Sequence, residues 1–186
     1  MARNQICLQS FLGRWTILRE IQDELHHRKG RLEGRVTITP DDNDPTCLHY
    51  GERGLLQMEG AQALQAERRY IWRQGKSGNS VDVHFEDNSP FHSFDLDRTM
   101  PYDTHICSPD NYQVSYDFRS WPVWRSEWRV QGPKKNYRLW TRYRFMGGVT
   151  QRRTPCVDGV AGANVGQQTT DTKIGDEWLS IQPTES

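Results

Sequence analysis

The sequence predicts an all-β fold, a single antiparallel meander of nine or ten strands closed into a barrel. Three observations carry this. Helical periodicity is nearly absent. β-branched and aromatic residues recur in short alternating runs, as on strands with one buried face. Gly, Pro, Asn and Asp separate the runs at hairpin spacing, and closure into a barrel removes the exposed edges of such a meander. In chain order, residues 5–12 read as a helical turn or two across one barrel end. Trp15, Ile17, Arg19 and Ile21 then alternate along the first strand. Leu32, Gly34, Val36 and Ile38 continue the period after a turn placed at Lys29-Gly30. Further strands are read near 46–58, 65–74, 79–86, 90–97, 111–119, 122–131 and 135–146.

A chain of 186 residues accommodates one core and an extension. Residues 1–146 are assigned to the barrel domain. Residues 147–186, rich in Gly, Thr, Gln and Asp, are assigned to a flexible or loosely docked tail in which Trp178, Leu179 and Ile181 form one apolar cluster. Hydrophobic residues are only 34%, but seven Trp, seven Tyr and six Phe are enough to fill an interior. Lys plus Arg and Asp plus Glu both number 24, so no net field gathers phosphates, and nucleic acid is not expected as a partner. No apolar run approaches the roughly 18 residues of a membrane helix, and the first ten residues lack a signal-like apolar stretch. Cys7, Cys47, Cys107 and Cys156 form no C-x-x-C pair and read as reduced thiols, Cys107 as a buried inert one, which points to a cytoplasmic protein.

Parity selects the polar groups that share a face with apolar ones. Arg19 joins Trp15, Ile17 and Ile21; Tyr50 and Glu52 join Leu48; Arg68 joins Ala66, Tyr70 and Trp72. Trp124 and Trp128 share a face, as do Tyr137, Leu139, Thr141, Tyr143 and Phe145. Inward charges must pair, hold water or meet a ligand. Arg19, Tyr50, Glu52, Arg68, Tyr70, Trp72, Trp124, Trp128, Tyr137 and Tyr143 are therefore the candidate ligand-binding residues. A closed Arg/Glu network without a ligand is the purely structural alternative.

Of the six histidines, His26 and His27 sit in a turn and His49 and His84 have outward parity. His92 and His105 are the acid/base candidates, because imidazole exchanges protons near neutral pH. Asp110 and Tyr112 are the groups expected to orient them. A three-histidine metal site would need His84 to turn inward, so no metal is assigned. Lys134 and Lys135 read as the tip of a hairpin turn, with capture of an anion at the rim as their functional alternative.

The opening Leu12-Gly13-Arg14-Trp15-Thr16-Ile17 resembles the Gly-x-Trp start of calycin barrels, the lipocalin and fatty-acid-binding superfamily. Tyr50-x-Glu52-x-Gly54, Arg68-x-Tyr70-x-Trp72, Phe85-Glu86-Asp87 with Phe91-His92, His105-x-Cys107-x-x-Asp110-x-Tyr112 and Gly132-Pro133-Lys134-Lys135-Asn136-Tyr137 together resemble a family of small bacterial and fungal proteins catalogued as a domain of unknown function. The likeness spans residues 11–146. It implies a calycin-like barrel open at one end and implies no activity. The sequence departs from the family at Asn88-Ser89-Pro90, where a Gly-containing turn is more usual. The haem-binding nitrobindin barrels are also similar in outline, but their C-terminal haem-ligating histidine has no counterpart, since no histidine follows His105.

The function expected is binding of a small apolar or aromatic organic molecule. A cofactor-independent isomerase, cyclase or hydratase using His92, His105, Asp110 and Tyr112 is its catalytic form. The alternatives are a non-catalytic interaction protein with a filled barrel and a haem-binding barrel. Oligomeric state is left open.

Overall fold

The computed structural model describes residues 5–148, so the tail assigned to 147–186, with Trp178, Leu179 and Ile181, falls almost wholly outside the described residues. A 3-10 turn, Leu8–Phe11, is followed by ten strands: β1 (Gly13–Asp23), β2 (Arg28–Pro40), β3 (Cys47–Met58), β4 (Leu64–Gln74), β5 (Ser80–His84), β6 (Pro90–Asp95), β7 (Tyr102–Cys107), β8 (Asp110–Asp117), β9 (Trp124–Gly132) and β10 (Lys135–Gly147). They form one antiparallel sheet in the order β6-β5-β4-β3-β2-β1-β10-β9-β8-β7. The first and last strands pair along their lengths, from Trp15 opposite Phe145 to Asp23 opposite Tyr137. The two sheet edges, β6 and β7, then meet through a side chain instead of a backbone ladder, the Ser93 N–H donating to Asp103 Oδ2 at 2.6 Å. The result is a nearly closed meander barrel, as the alternation requires.

The inward parity expected for β1, β2, β3, β4, β8, β9 and β10 is the parity observed: Trp15, Ile17, Leu32, Val36, Ile38, Leu48, Val114, Val130 and Leu139 are all buried. Phe11 closes one end. Its ring lies edge-on to Trp72, Phe118, Trp121 and Trp124 at centroid distances of 5.0 to 5.8 Å, which is the geometry aromatic quadrupoles favour. The 3-10 turn is thus a plug, held also by the Trp15 indole N–H donating to the Phe11 carbonyl at 2.9 Å.

Three local expectations are corrected. The β1–β2 turn is at residues 24–27, and Lys29 and Gly30 lie in β2 opposite Gln22 and Ile21. His27, at φ 51°, takes the left-handed position there, and the Asp23 carboxylate accepts the backbone N–H groups of Leu25 and His26, which nucleates the turn without a glycine. β7 is a strand that the alternation does not single out, because its outward residues Tyr102 and Ile106 are exposed and its inward ones, Asp103 and His105, are polar. The strand read at 122–131 begins only at Trp124, since Pro122 lies in the preceding turn.

Gly34 of β2 faces Gly54 of β3, and the two backbones approach so closely that a Cβ at Gly34 would meet the Arg53 carbonyl oxygen and sit 2.8 Å from Gly54 Cα. Gly34→Ala is expected to cost about 1–3 kcal/mol by forcing these strands apart. Urea denaturation measures it, and an unchanged midpoint would show that the close approach is not rigid.

Candidate functional site

The barrel interior contains a charged cluster built by three strands. Arg19 of β1 donates from Nη1 and Nη2 to Glu52 Oε1 and Oε2 at 2.7 and 2.8 Å, and from Nε to Thr141 Oγ1 of β10 at 2.8 Å. The Tyr50 hydroxyl donates to Glu52 Oε2 at 2.8 Å. Both charged side chains are buried, at 6% and 2% exposure. Burial opposes both charges, but the pair overcomes it: Arg19 is raised above the ordinary arginine range and Glu52 is held below the ordinary carboxylate range. Tyr50 is pushed well above the ordinary phenol value, by burial first and then by the Glu52 charge.

Arg68 stands directly opposite Glu52 in the β3–β4 register, half-buried, with Tyr70 two residues on along the same face. It makes no hydrogen bond or ion pair among the described residues; its guanidinium carbon lies 5.9 Å from the centre of the Tyr70 ring. Arg19, Glu52, Tyr50 and Tyr70 are the charges and phenols it feels, and although burial works to lower its pKa, Tyr70 and Glu52 bring it above the ordinary value. The inner cluster therefore holds two guanidinium groups and one carboxylate, and that carboxylate is chelated by Arg19.

Aromatic rings surround the cluster. Tyr50 stacks on Trp72 at 5.4 Å, Tyr70 on Phe91 at 5.6 Å, Phe91 on Trp128 at 5.2 Å and Trp124 on Tyr143 at 3.5 Å. The Trp124 indole Nε1 is buried without a hydrogen-bond partner among the described residues. Tyr137 lies in the core beside Leu139 on the neighbouring stretch of β10.

The wall is incomplete on one side. β5 pairs with β4 only along residues 71–74, so residues 64–70 of β4 have no strand partner on that flank among the described residues. Tyr70, Phe85 and Trp128, near this gap and the β5–β6 turn, are only partly buried. Asn88 turns that hairpin at φ 65°, supplying the left-handed residue where the resemblance leads one to look for glycine. The gap exists because the β5–β6 hairpin is short.

The four acid/base candidates are not gathered into one dyad. His92 is buried, and its Nε2 is 2.7 Å from the Tyr116 hydroxyl, while Nδ1 has no partner among the described residues. Burial, helped by the nearby His105, pushes the His92 pKa down to about 3, so the ring is neutral at ordinary pH. His105 is half-buried and edge-on to Phe91 at 5.3 Å. Asp110 instead pairs with Lys135 at 2.8 Å, and Lys135 donates to the Tyr112 hydroxyl at 3.0 Å. Lys135 is thereby committed to the hairpin base, its pKa raised despite burial by Asp110 and Tyr112. Tyr116 and Thr141 are the partners that sequence reasoning did not assign; both show the right parity, but only closure of the barrel reveals what they face.

Two cysteine expectations change. Cys7 is disulfide-bonded, which corrects the reading of all four cysteines as reduced thiols and removes the support that reading gave to a cytoplasmic location; Cys47 and Cys107 are free. Cys107 is an exposed free thiol at the end of the edge strand β7 and is not buried. Cys47 is the buried free thiol. Its sulfur, Asp41 and His49 present ligand atoms within 4.8 Å of one another, although no metal site was read there. His49 Nε2 already engages Asp41 Oδ2 at 2.8 Å, and burial raises the Cys47 pKa, so the group as it stands is an Asp-His pair beside a protonated thiol.

A family model described as a family of unknown function, DUF6314, matches residues 11–145. The chain belongs to DUF6314. The match covers nearly all of the strands just described, so the barrel with its Arg19, Glu52 and Arg68 cluster lies within the DUF6314 region. Among solved structures, an S-type phycobiliprotein lyase, CPES from Guillardia theta, is similar at a TM-score of 0.43 and 9% identity, covering 72% of this chain and 85% of that one. No curated protein matches. No helix among the described residues is long and apolar enough to cross a membrane.

Proposed function

We propose that this DUF6314 barrel binds a small, largely apolar or aromatic organic molecule that enters through the gap beside residues 64–70 of β4. The observation that carries the reading is the break in the wall next to partly buried rings. Tyr70, Phe85 and Trp128 leave apolar ring surface accessible beside a buried polar cluster, which is the composition of a small-molecule site. Tyr50, Trp72, Trp124 and Tyr143 form the deeper wall, Tyr137 lines the opposite end of the barrel, and Arg19 with Glu52 fixes the polar floor.

Proton-transfer chemistry on the bound molecule, of isomerase, cyclase or hydratase type, is the narrower form of the proposal. His92 is a weak base at a pKa of about 3, so its Nδ1 is better suited to hydrogen bonding than to proton abstraction. Abstraction would fall to His105, whose ring lies 6.3 Å from that of Tyr112 across the β7–β8 pair, while Asp110 is engaged by Lys135. Binding is therefore placed before catalysis.

The test is a titration with N-phenyl-1-naphthylamine, a neutral aromatic dye that brightens in apolar sites. Saturable binding that is weakened by Trp128→Arg supports the reading. Absence of saturable binding to a folded protein refutes it and favours a filled barrel acting through its outer surface.

A further inference from the structure

Resting on the binding reading above, we propose that the bound molecule is an organic acid whose carboxylate is received by Arg68 and the Tyr70 hydroxyl. The inference comes from counting donors and charges. Arg19 has its counter-ion in place: each of its three nitrogens donates one bond, two to Glu52 and one to Thr141. Glu52 is equally committed, one oxygen to Arg19 and the other to Arg19 and Tyr50. Lys135 and Asp110 neutralise each other at the hairpin base. What remains on the inner face of β4 is Arg68, a half-buried guanidinium with five N–H donors and no acceptor among the described residues. Tyr70, two residues along on the same face, has a hydroxyl that likewise makes no hydrogen bond among them.

A guanidinium without a counter-ion of its own, beside a hydroxyl that can donate, selects an acceptor group with one negative charge. A carboxylate fits because its two oxygens match the guanidinium fork, and the charge of Arg68 is cancelled without excess. The ligand body follows from the surroundings. Tyr70, which lies beneath the Arg68 guanidinium, stacks on Phe91 and Phe91 on Trp128, so a row of aromatic rings runs on from Arg68. An aromatic or other planar apolar acid lies along these rings with its carboxylate at Arg68. Arg19 differs from Arg68 in having its counter-ion built in, which explains why two arginines of the same parity are not equivalent.

The experiment compares 1-naphthoate with 1-naphthamide, an uncharged analogue of nearly the same shape, as displacers of N-phenyl-1-naphthylamine. In the unmodified protein the acid is expected to displace the dye at least about tenfold more strongly than the amide. Arg68→Met is expected to abolish that preference, the acid-to-amide ratio being read against each protein's own affinity for the dye. Arg68→Lys, which keeps the charge and loses the fork, is expected to fall between them. Should Arg68→Met fail to fold, the acid-to-amide ratio in the unmodified protein decides alone. Dye binding with equal displacement by acid and amide, or with a preference that survives Arg68→Met, overturns the carboxylate assignment and leaves the binding site standing. No dye binding and no binding of either naphthyl compound overturns both.

Discussion

Glu52→Gln is expected to destabilise the protein by about 3–5 kcal/mol, the range for removing one partner of a buried ion pair. The substitution keeps the shape of the side chain and removes its charge. It leaves Arg19, at 6% exposure, and Arg68 as two guanidinium groups on the same inner face without a carboxylate. Arg19→Met is expected to cost less, because Arg68 stands opposite Glu52 and supplies a replacement cation. This ordering separates the account from one in which Arg68 is a bystander. Urea denaturation of the two variants reads it directly: a larger loss for Arg19→Met than for Glu52→Gln would mean that Arg68 does not interact with Glu52.

The second large effect is on pH. The His92 pKa is lowered from 6.5 to about 3 by burial, so the unfolded chain takes up its proton before the folded one does. The stabilisation conferred by a neutral buried His92 is therefore complete above pH 6.5 and is lost progressively as pH falls toward 3. At about 1.4 kcal/mol per unit, the whole window amounts to roughly 5 kcal/mol. Glu52 acts in the same direction, but only below the ordinary carboxylate value of 4.5, so His92 dominates the interval between 6.5 and 4.5. His92→Phe, which fits a ring beside Phe94 and Tyr116, is expected to flatten stability across that interval. Denaturant midpoints measured at pH 7, 6 and 5 check this, and a slope unchanged by the substitution would place the titrating group elsewhere.

The inner face was legible in the sequence because a strand has a period of two and most strands here are long. β1, β2 and β3 alone contribute Trp15, Arg19, Leu32, Val36, Tyr50 and Glu52 from simple alternation. What alternation does not encode is which inward side chains meet. Arg19 and Glu52 lie on strands separated by β2, and His92 and Tyr116 come from β6 and β8, which are joined only by closure of the barrel. The expectation that Asp110 orients His92 or His105 meets the same limit, since Asp110 turns to Lys135 across the sheet. β7 escaped notice for a related reason: an edge strand with exposed Ile106 and inward Asp103 and His105 lacks the apolar face on which the reading depends. The missing partner of Arg68 has no signature in sequence at all, since its parity is the same as that of a paired arginine.

Native mass spectrometry of the full chain purified from its source organism bears most directly on the central claim. The account predicts a complex heavier than the polypeptide by the mass of one small organic acid, released on denaturation and detected as an anion. A bare polypeptide mass from freshly purified, folded protein, unchanged after incubation with 1-naphthoate, would contradict it.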